Sequence, residues 1–127
     1  VGTVLAVADK LHDLVGYFGI GEKPKASADP LGLRRAALGI IRIAEGKNLS
    51  LDLKGLIEET YRLFEGLKLD KETLLRELED FFKQRLENYL APVYGRDLVK
   101  AVLAVKSGFT VGEIIQTVRE LKEILDS

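Results

Sequence analysis

Few residues of this chain could do chemistry, and each set can be tested against the spacing that the chemistry demands. His12-Asp13 places an imidazole beside a carboxylate, a pair that can ligate a catalytic metal in phosphohydrolases. Such a metal needs several ligands and an open position. The further His and Asp ligands would have to arrive from other helices, and the sequence holds a single His. A competent site cannot be assembled from these residues, so His12 reads as a surface residue of an amphipathic helix. Gly16-Tyr17-Phe18-Gly19-Ile20-Gly21 contains Gly-x-x-Gly-x-Gly. No strand precedes it and the glycine order is wrong for a phosphate turn, so a helix stop and a flexible turn are expected there.

The carboxylates Glu58, Glu59, Glu77, Glu79 and Asp80 are interleaved with Lys and Arg. Acid–base work needs two carboxyls in different environments around a cleft. These five fit solvated helix faces with pairing four residues apart. The arginines are more informative. Arg35 and Arg42 are seven residues apart and share a helix face, Arg34 adjoins them, and Lys23 and Lys25 lie in the loop leading in. Together they could form a basic patch that meets phosphates. The other reading is that they bond acidic neighbours or solubilise a face, and the sequence leaves both open.

Positioning these side chains falls to helices. Apolar residues recur at three- and four-residue spacing and no stretch alternates as a strand would, so the spacing predicts an all-α fold: about six amphipathic helices in an orthogonal or irregular bundle. The first helix is expected from about Val4 to Phe18, with Leu5, Ala8, Leu11, Val15 and Phe18 as its stripe, stopped by Gly19 and Gly21. Asp29-Pro30 opens the second as N-cap and first helical residue, and Gly46 closes it. The third runs from Leu53 to Glu65 between Asp52 and Gly66, with Phe64 on its buried side. Asp70 caps a fourth over Lys71 to Leu90, broken by Pro92 and Gly95. The fifth covers Asp97 to Lys106 and the sixth Val111 to Leu125, with Thr110 and Glu113 as a capping box. A boundary is expected near Asn48 to Asp52, giving segments 1–48 and 49–127, and a weaker one at Ala91 to Arg96.

Composition bounds the function. With 127 residues the chain can bury a core without staples. It has no cysteine, hence no disulfide, thiolate metal site or cysteine nucleophile, and a cytoplasmic setting fits. The apolar runs are too short and too broken by charge for a membrane span. The start at Val1 lacks Met and a signal-peptide pattern, as expected of a piece of something longer. Lys and Arg total 19 against 20 Asp and Glu. A dedicated nucleic-acid binder is usually clearly basic, so RNA contact would need a local patch. Abundant Lys, Glu and Leu with little Gln, Asn or Met leans thermophilic.

Two stretches carry a resemblance. Ala8-Asp9-Lys10-Leu11, Leu14-Val15-Gly16-Tyr17-Phe18-Gly19-Ile20-Gly21-Glu22-Lys23-Pro24, and then Ala28-Asp29-Pro30-Leu31-Gly32-Leu33-Arg34-Arg35-Ala36-Ala37-Leu38-Gly39-Ile40-Ile41-Arg42-Ile43, resemble the β subunit of bacterial two-subunit glycine–tRNA ligase. Asn48 to Leu53 and Asp97 to Ala104 match it less distinctively. The resemblance implies a non-catalytic helical fragment: 1–48 as the C-terminal part of an HD-like domain, and 49–127 as the helical domain preceding the anticodon-binding domain. Asp9 falls where an HD-type fold carries its last Asp ligand. The partner ligands lie upstream in that family, so no metal is expected here. His12-Asp13 falls where the family has other polar residues.

The resemblance further implies aminoacyl-tRNA synthetase activity only as part of the complex, with ATP and Mg used at the α subunit and no cofactor in this fragment. The implied partners are tRNA-Gly, the α subunit and the rest of the β subunit, with no membrane and no DNA. Lys23, Lys25, Arg34, Arg35 and Arg42 are then the expected phosphate contacts. The alternative is an architectural spacer or subunit interface without RNA contact.

Overall fold

The computed structural model describes residues 2–22, 29, 32–47 and 52–127. Six helices make up the described fold: α1 Gly2–Gly19, α2 Leu33–Lys47, α3 Leu53–Leu63, α4 Lys71–Tyr94, α5 Arg96–Val105 and α6 Val111–Asp126. Among the described residues there is no strand. The periodicity that predicts an all-α bundle is the periodicity that buries. On α4, Leu74, Leu75, Leu78, Phe81, Phe82, Leu86 and Leu90 all turn inward. Three- and four-residue steps place them on one side of the helix, which becomes the central element. It packs against every other helix, while α1 also meets α2 and α3, and α6 also meets α2 and α5.

The buried side chains form one cluster running from Val7 on α1 to Val118 on α6. Phe18 meets Phe81 edge-on with ring centroids 5.1 Å apart, and Phe82 meets Phe109 at 6.2 Å. Both are the tilted geometries that aromatic quadrupoles favour. The core therefore spans both sides of residues 48–51.

The glycine motif at the end of α1 is a packing device. Gly16 and Gly19 are helical, and a Cβ on Gly19 would lie 2.8 Å from the Leu67 methyl carbons. A Cβ on Gly16 would press on the Phe64 ring at 3.1 Å. The missing side chains let the α3–α4 connection cross α1, where the Leu69 N–H donates to the Gly19 carbonyl at 3.0 Å. Gly21, at φ +87, makes the turn that ends the helix.

Several helix ends differ from expectation. α2 starts at Leu33, not at Pro30, which lies outside the described residues along with most of the preceding loop. Asp29 still caps, but across a turn: Gly32 stands at φ +64, and the Asp29 carboxylate accepts from Leu33 N–H at 2.7 Å and Arg34 N–H at 3.0 Å. Gly46 is inside α2 and is not among the left-handed glycines, so it does not close the helix. α3 ends at Leu63, and Phe64 leaves it in extended backbone to stack on His12 at 4.8 Å.

Pro92 does not break α4, which continues to Tyr94. Proline there removes one donor, that for the Asn88 carbonyl. Buried Leu90 and core-packed Tyr94 hold the last turn around it, and Gly95 at φ +89 makes the break. Asp52 and Asp70 cap as expected, accepting from Gly55 and Thr73 N–H at 3.0 and 3.1 Å. The capping box at α6 does not form. Thr110 Oγ donates to the Ser107 carbonyl at 2.7 Å, and Glu113 turns to Lys106 instead. Leu5, expected on the inner stripe of α1, is 60 % exposed.

Candidate nucleic-acid interface

The second helix decides where the arginines go. Leu33, Ala37, Ile40, Ile41 and Ala44 are buried, so positions 34, 35, 38 and 42 fall toward the edge and outside. Arg35 and Arg42 are both exposed, seven residues apart on one face, as the spacing predicts. Arg34 sits lower, its guanidinium 3.9 Å from the Asp29 carboxylate that caps its own helix. Lys23 and Lys25 lie outside the described residues, so their relation to the arginines is not part of this geometry.

α4 supplies the other wall. Arg34, Arg35 and Leu38 of α2 face Arg85, Asn88 and Tyr89 of α4 across a groove of about 280 Å³. Arg85 is the residue that reading the sequence missed. It stands in register with Leu78, Phe81 and Phe82, a position that otherwise buries. Its guanidinium carbon lies 5.4 Å from the Phe81 ring centroid, an arrangement in which the aromatic face attracts the cation. Its Nε is buried and makes no hydrogen bond among the described residues. Burial and then the nearby charge of Arg34 lower its pKa, with Asp29 opposing. A guanidinium stays charged all the same. A cation interrupting an apolar stripe was the available signal.

The spacing of apolar residues along α4 places Tyr89 with its core face. It is half-buried, and its hydroxyl donates to Glu45 Oε1 at 2.5 Å. That bond, then burial and the Glu45 charge, raise the Tyr89 pKa, while the charge of Arg42 and its hydrogen bonding to Tyr89 work against them. Glu45 Oε2 accepts from Arg119 of α6 at 2.9 Å, and Arg119 Nε also donates to the Tyr94 hydroxyl at 3.1 Å. This polar junction ties α2, α4 and α6 together beside the groove.

The residues with possible metal chemistry remain apart. Asp9, His12 and Asp13 lie on α1, with Asp9 and both members of the dipeptide exposed. Among the described residues no group of three or more His, Asp or Glu side chains is placed to hold a metal. The carboxylates Glu58, Glu59 and Glu79 hold Lys71, Arg62 and the 107–108 turn, respectively.

The helical scaffold thus places arginines of α2 and α4 on one groove. The family model described as glycyl-tRNA synthetase beta subunit matches residues 1–104. The chain belongs to the glycyl-tRNA synthetase β-subunit family. The glycine–tRNA ligase β subunit of Anaeromyxobacter sp. (strain K) is 37 % identical over 129 aligned positions, covering 100 % of this chain and 18 % of that protein. Those of Klebsiella pneumoniae (strain 342) and Citrobacter koseri are 47 % and 48 % identical over 105 positions, covering 82 % of this chain and 15 % of each relative. The chain thus spans less than a fifth of the length of the curated relatives it matches. All four arginines of the groove region, Arg34, Arg35, Arg42 and Arg85, fall within the family match, whereas the whole of α6 with Arg119 lies beyond it.

Proposed function

We propose that this chain is a non-catalytic, tRNA-contacting segment of a glycine–tRNA ligase β subunit, meeting RNA phosphates through the α2–α4 face. The observation that carries the reading is that Arg34, Arg35 and Arg42 of α2 share one side, with Arg85 of α4 opposite. A polyanion can be positioned by such contacts without base readout. Lys23 and Lys25, outside the described residues, stay with the arginines as proposed phosphate contacts on their charge alone. Charging of tRNA-Gly would be the work of the complete ligase, with ATP and Mg used at the α subunit, which this segment would serve together with the rest of the β subunit.

Fluorescence anisotropy of labelled tRNA-Gly and a non-cognate tRNA, titrated with the chain at low and moderate salt, tests this. The expected result is binding that weakens steeply with salt. Arg35→Glu with Arg42→Glu, whose helical circular dichroism should be unchanged, should abolish it. A folded double variant with unaltered affinity overturns the assignment.

A second reading, a spacer or subunit interface, has one observation in its favour. Val93, Val105, Ile124 and Leu125 are exposed at 67 % or more around α4 to α6. No RNA binding even at low salt, with aminoacylation lost on deleting the segment from the intact ligase, would select that reading.

A further inference from the structure

We infer that the groove between α2 and α4 is a pocket for a single unpaired nucleotide of an RNA strand. The inference rests on the proposed RNA-contacting role and narrows it, from a surface that meets phosphates to a site that accepts a base.

Three features separate this groove from a simple basic patch. The first is its lining. Leu38 and the flank of the Tyr89 ring put apolar surface beside the arginines. A phosphate gains nothing from such a bed, whereas a base removed from its stack recovers contact area on it. The second is the charge pattern. Arg35 and Arg85 have no ion pair among the described residues. The Asp29 carboxylate, whose charge acts on Arg85, already accepts from two backbone N–H groups and faces Arg34. Glu45 is taken up by the Tyr89 hydroxyl and Arg119.

Guanidinium groups placed this way can fork onto one phosphate or lie flat on a base. Arg85 is steadied for this by the Phe81 ring, whose centroid lies 5.4 Å from its guanidinium carbon. The third feature is Asn88, exposed on the same wall. Its amide offers a donor and an acceptor together, the complement of a base edge.

Size limits the occupant. A volume of about 280 Å³ lies just below the roughly 300 Å³ at which ligand pockets begin. That admits one nucleotide unit and excludes a helix, and an acidic peptide would leave the apolar bed and the amide unused.

The test compares four probes on the full 127-residue chain at one salt concentration: a five-nucleotide single-stranded RNA, a blunt RNA duplex of equal phosphate number, a free nucleoside monophosphate and inorganic phosphate. The single strand should bind at least about tenfold more tightly than the duplex, since a duplex keeps its bases stacked. Asn88→Ala, at an exposed position where folding is not at issue, should cost the single strand roughly fivefold and the duplex nothing. Leu38→Ala should do the same through lost base contact.

Equal binding of strand and duplex, with Asn88→Ala silent, overturns the pocket and leaves the phosphate-contacting surface standing. Binding of none of the RNAs overturns both readings. Competition by inorganic phosphate at the same concentration as the strand reduces the groove to an anion site. A free monophosphate as tight as the strand makes its ligand a soluble nucleotide. Either result also overturns the inference.

Discussion

The α2–α4 face and the α5–α6 end are built from similar residues and use them differently. At the α5–α6 end, most cations are paired, Lys100 being in no ion pair among the described residues. Lys106 is held by Glu113, Arg96 by Glu87 and Lys122 by Asp126, while Glu79 takes both the Ser107 hydroxyl and the Gly108 N–H. On the α2–α4 face, Arg35, Arg42 and Arg85 are in no ion pair among the described residues. The net charge of −1 is therefore no guide to partners. What matters is where positive charge is left uncancelled, because local potential and not the total draws in a polyanion. The α5–α6 end instead leaves apolar side chains outside, with Val105 81 % and Ile124 67 % exposed.

The largest effect comes from the core the two regions share. Phe82 is fully buried on α4 and packs against Phe109, just before α6. Phe82→Ala should lose about 3–5 kcal/mol, the usual cost of emptying a buried aromatic site. Urea unfolding followed by circular dichroism would measure it, and RNA binding should fail together with the fold. A loss under about 1 kcal/mol would mean that the regions are not supported by one core.

Next is the contrast itself. Arg35→Ala with Arg42→Ala should weaken tRNA binding about a hundredfold, taking two charge-assisted contacts at roughly 1.5 kcal/mol each. The slope of log K against log salt should fall by about 2. Arg96→Ala with Lys106→Ala removes as much charge from the opposite end, where both partners are carboxylates of the chain. Those exposed pairs are worth at most about 1 kcal/mol each, and tRNA affinity should barely move. Equal losses from the two double variants would erase the distinction between the regions.

Most of the fold was legible in the sequence because burial enforces periodicity. Leu74, Leu75, Leu78, Phe81, Phe82 and Leu86 stand at three- and four-residue spacing along the sequence, and all are buried. The caps at Asp52 and Asp70 were equally plain, since a carboxylate ahead of an apolar run has few other uses. What was hidden depends on contacts distant in sequence. The carboxylate of Asp29 fits its helix only through the left-handed turn at Gly32, and Pro92 is tolerated because other helices hold the turn around it.

Glu113 forsakes its cap for Lys106 because the α5–α6 connection brings them together. For the candidate site, the α2 arginines could be read from a seven-residue interval. Arg85 left only the signal of a cation in an apolar stripe, and Asn88 and Tyr89 left none, since only the packing of α4 beside α2 makes them neighbours of those arginines.

A smaller effect should be confined to the α5–α6 end. A Cβ on Gly108 would lie 2.7 Å from the Glu79 carbonyl oxygen, and backbone cannot swing away as a side chain does. Gly108→Ala should destabilise by roughly 1–3 kcal/mol, as overpacking does. Thermal unfolding would show it. At temperatures where the variant is folded, tRNA affinity should be intact, because none of the groove residues touches that turn. A concurrent loss of affinity would extend the RNA surface to this end.

The smallest effect probes the junction where the regions meet. The Tyr89 hydroxyl is held by Glu45, and that bond is the main reason its pKa is raised above the usual 10.0. The folded state thus keeps this proton more tightly than the unfolded chain does. The bond's contribution is fully present below the unfolded pKa and is lost as pH rises through the folded value. Deprotonated Tyr89 would also face the Glu45 carboxylate as a like charge. Tyr89→Phe removes the hydroxyl and leaves the ring, so near neutral pH it should cost about 0.5–1.5 kcal/mol, one hydrogen bond. Urea midpoints of wild type and variant, followed upward from about pH 8, should converge above pH 10 as the wild type loses its advantage. A gap that stays constant across that range would show that Glu45 takes its stabilising partner from Arg119 on α6 and not from α4, and the α2–α4 face would then owe its alignment to the end it otherwise contrasts with.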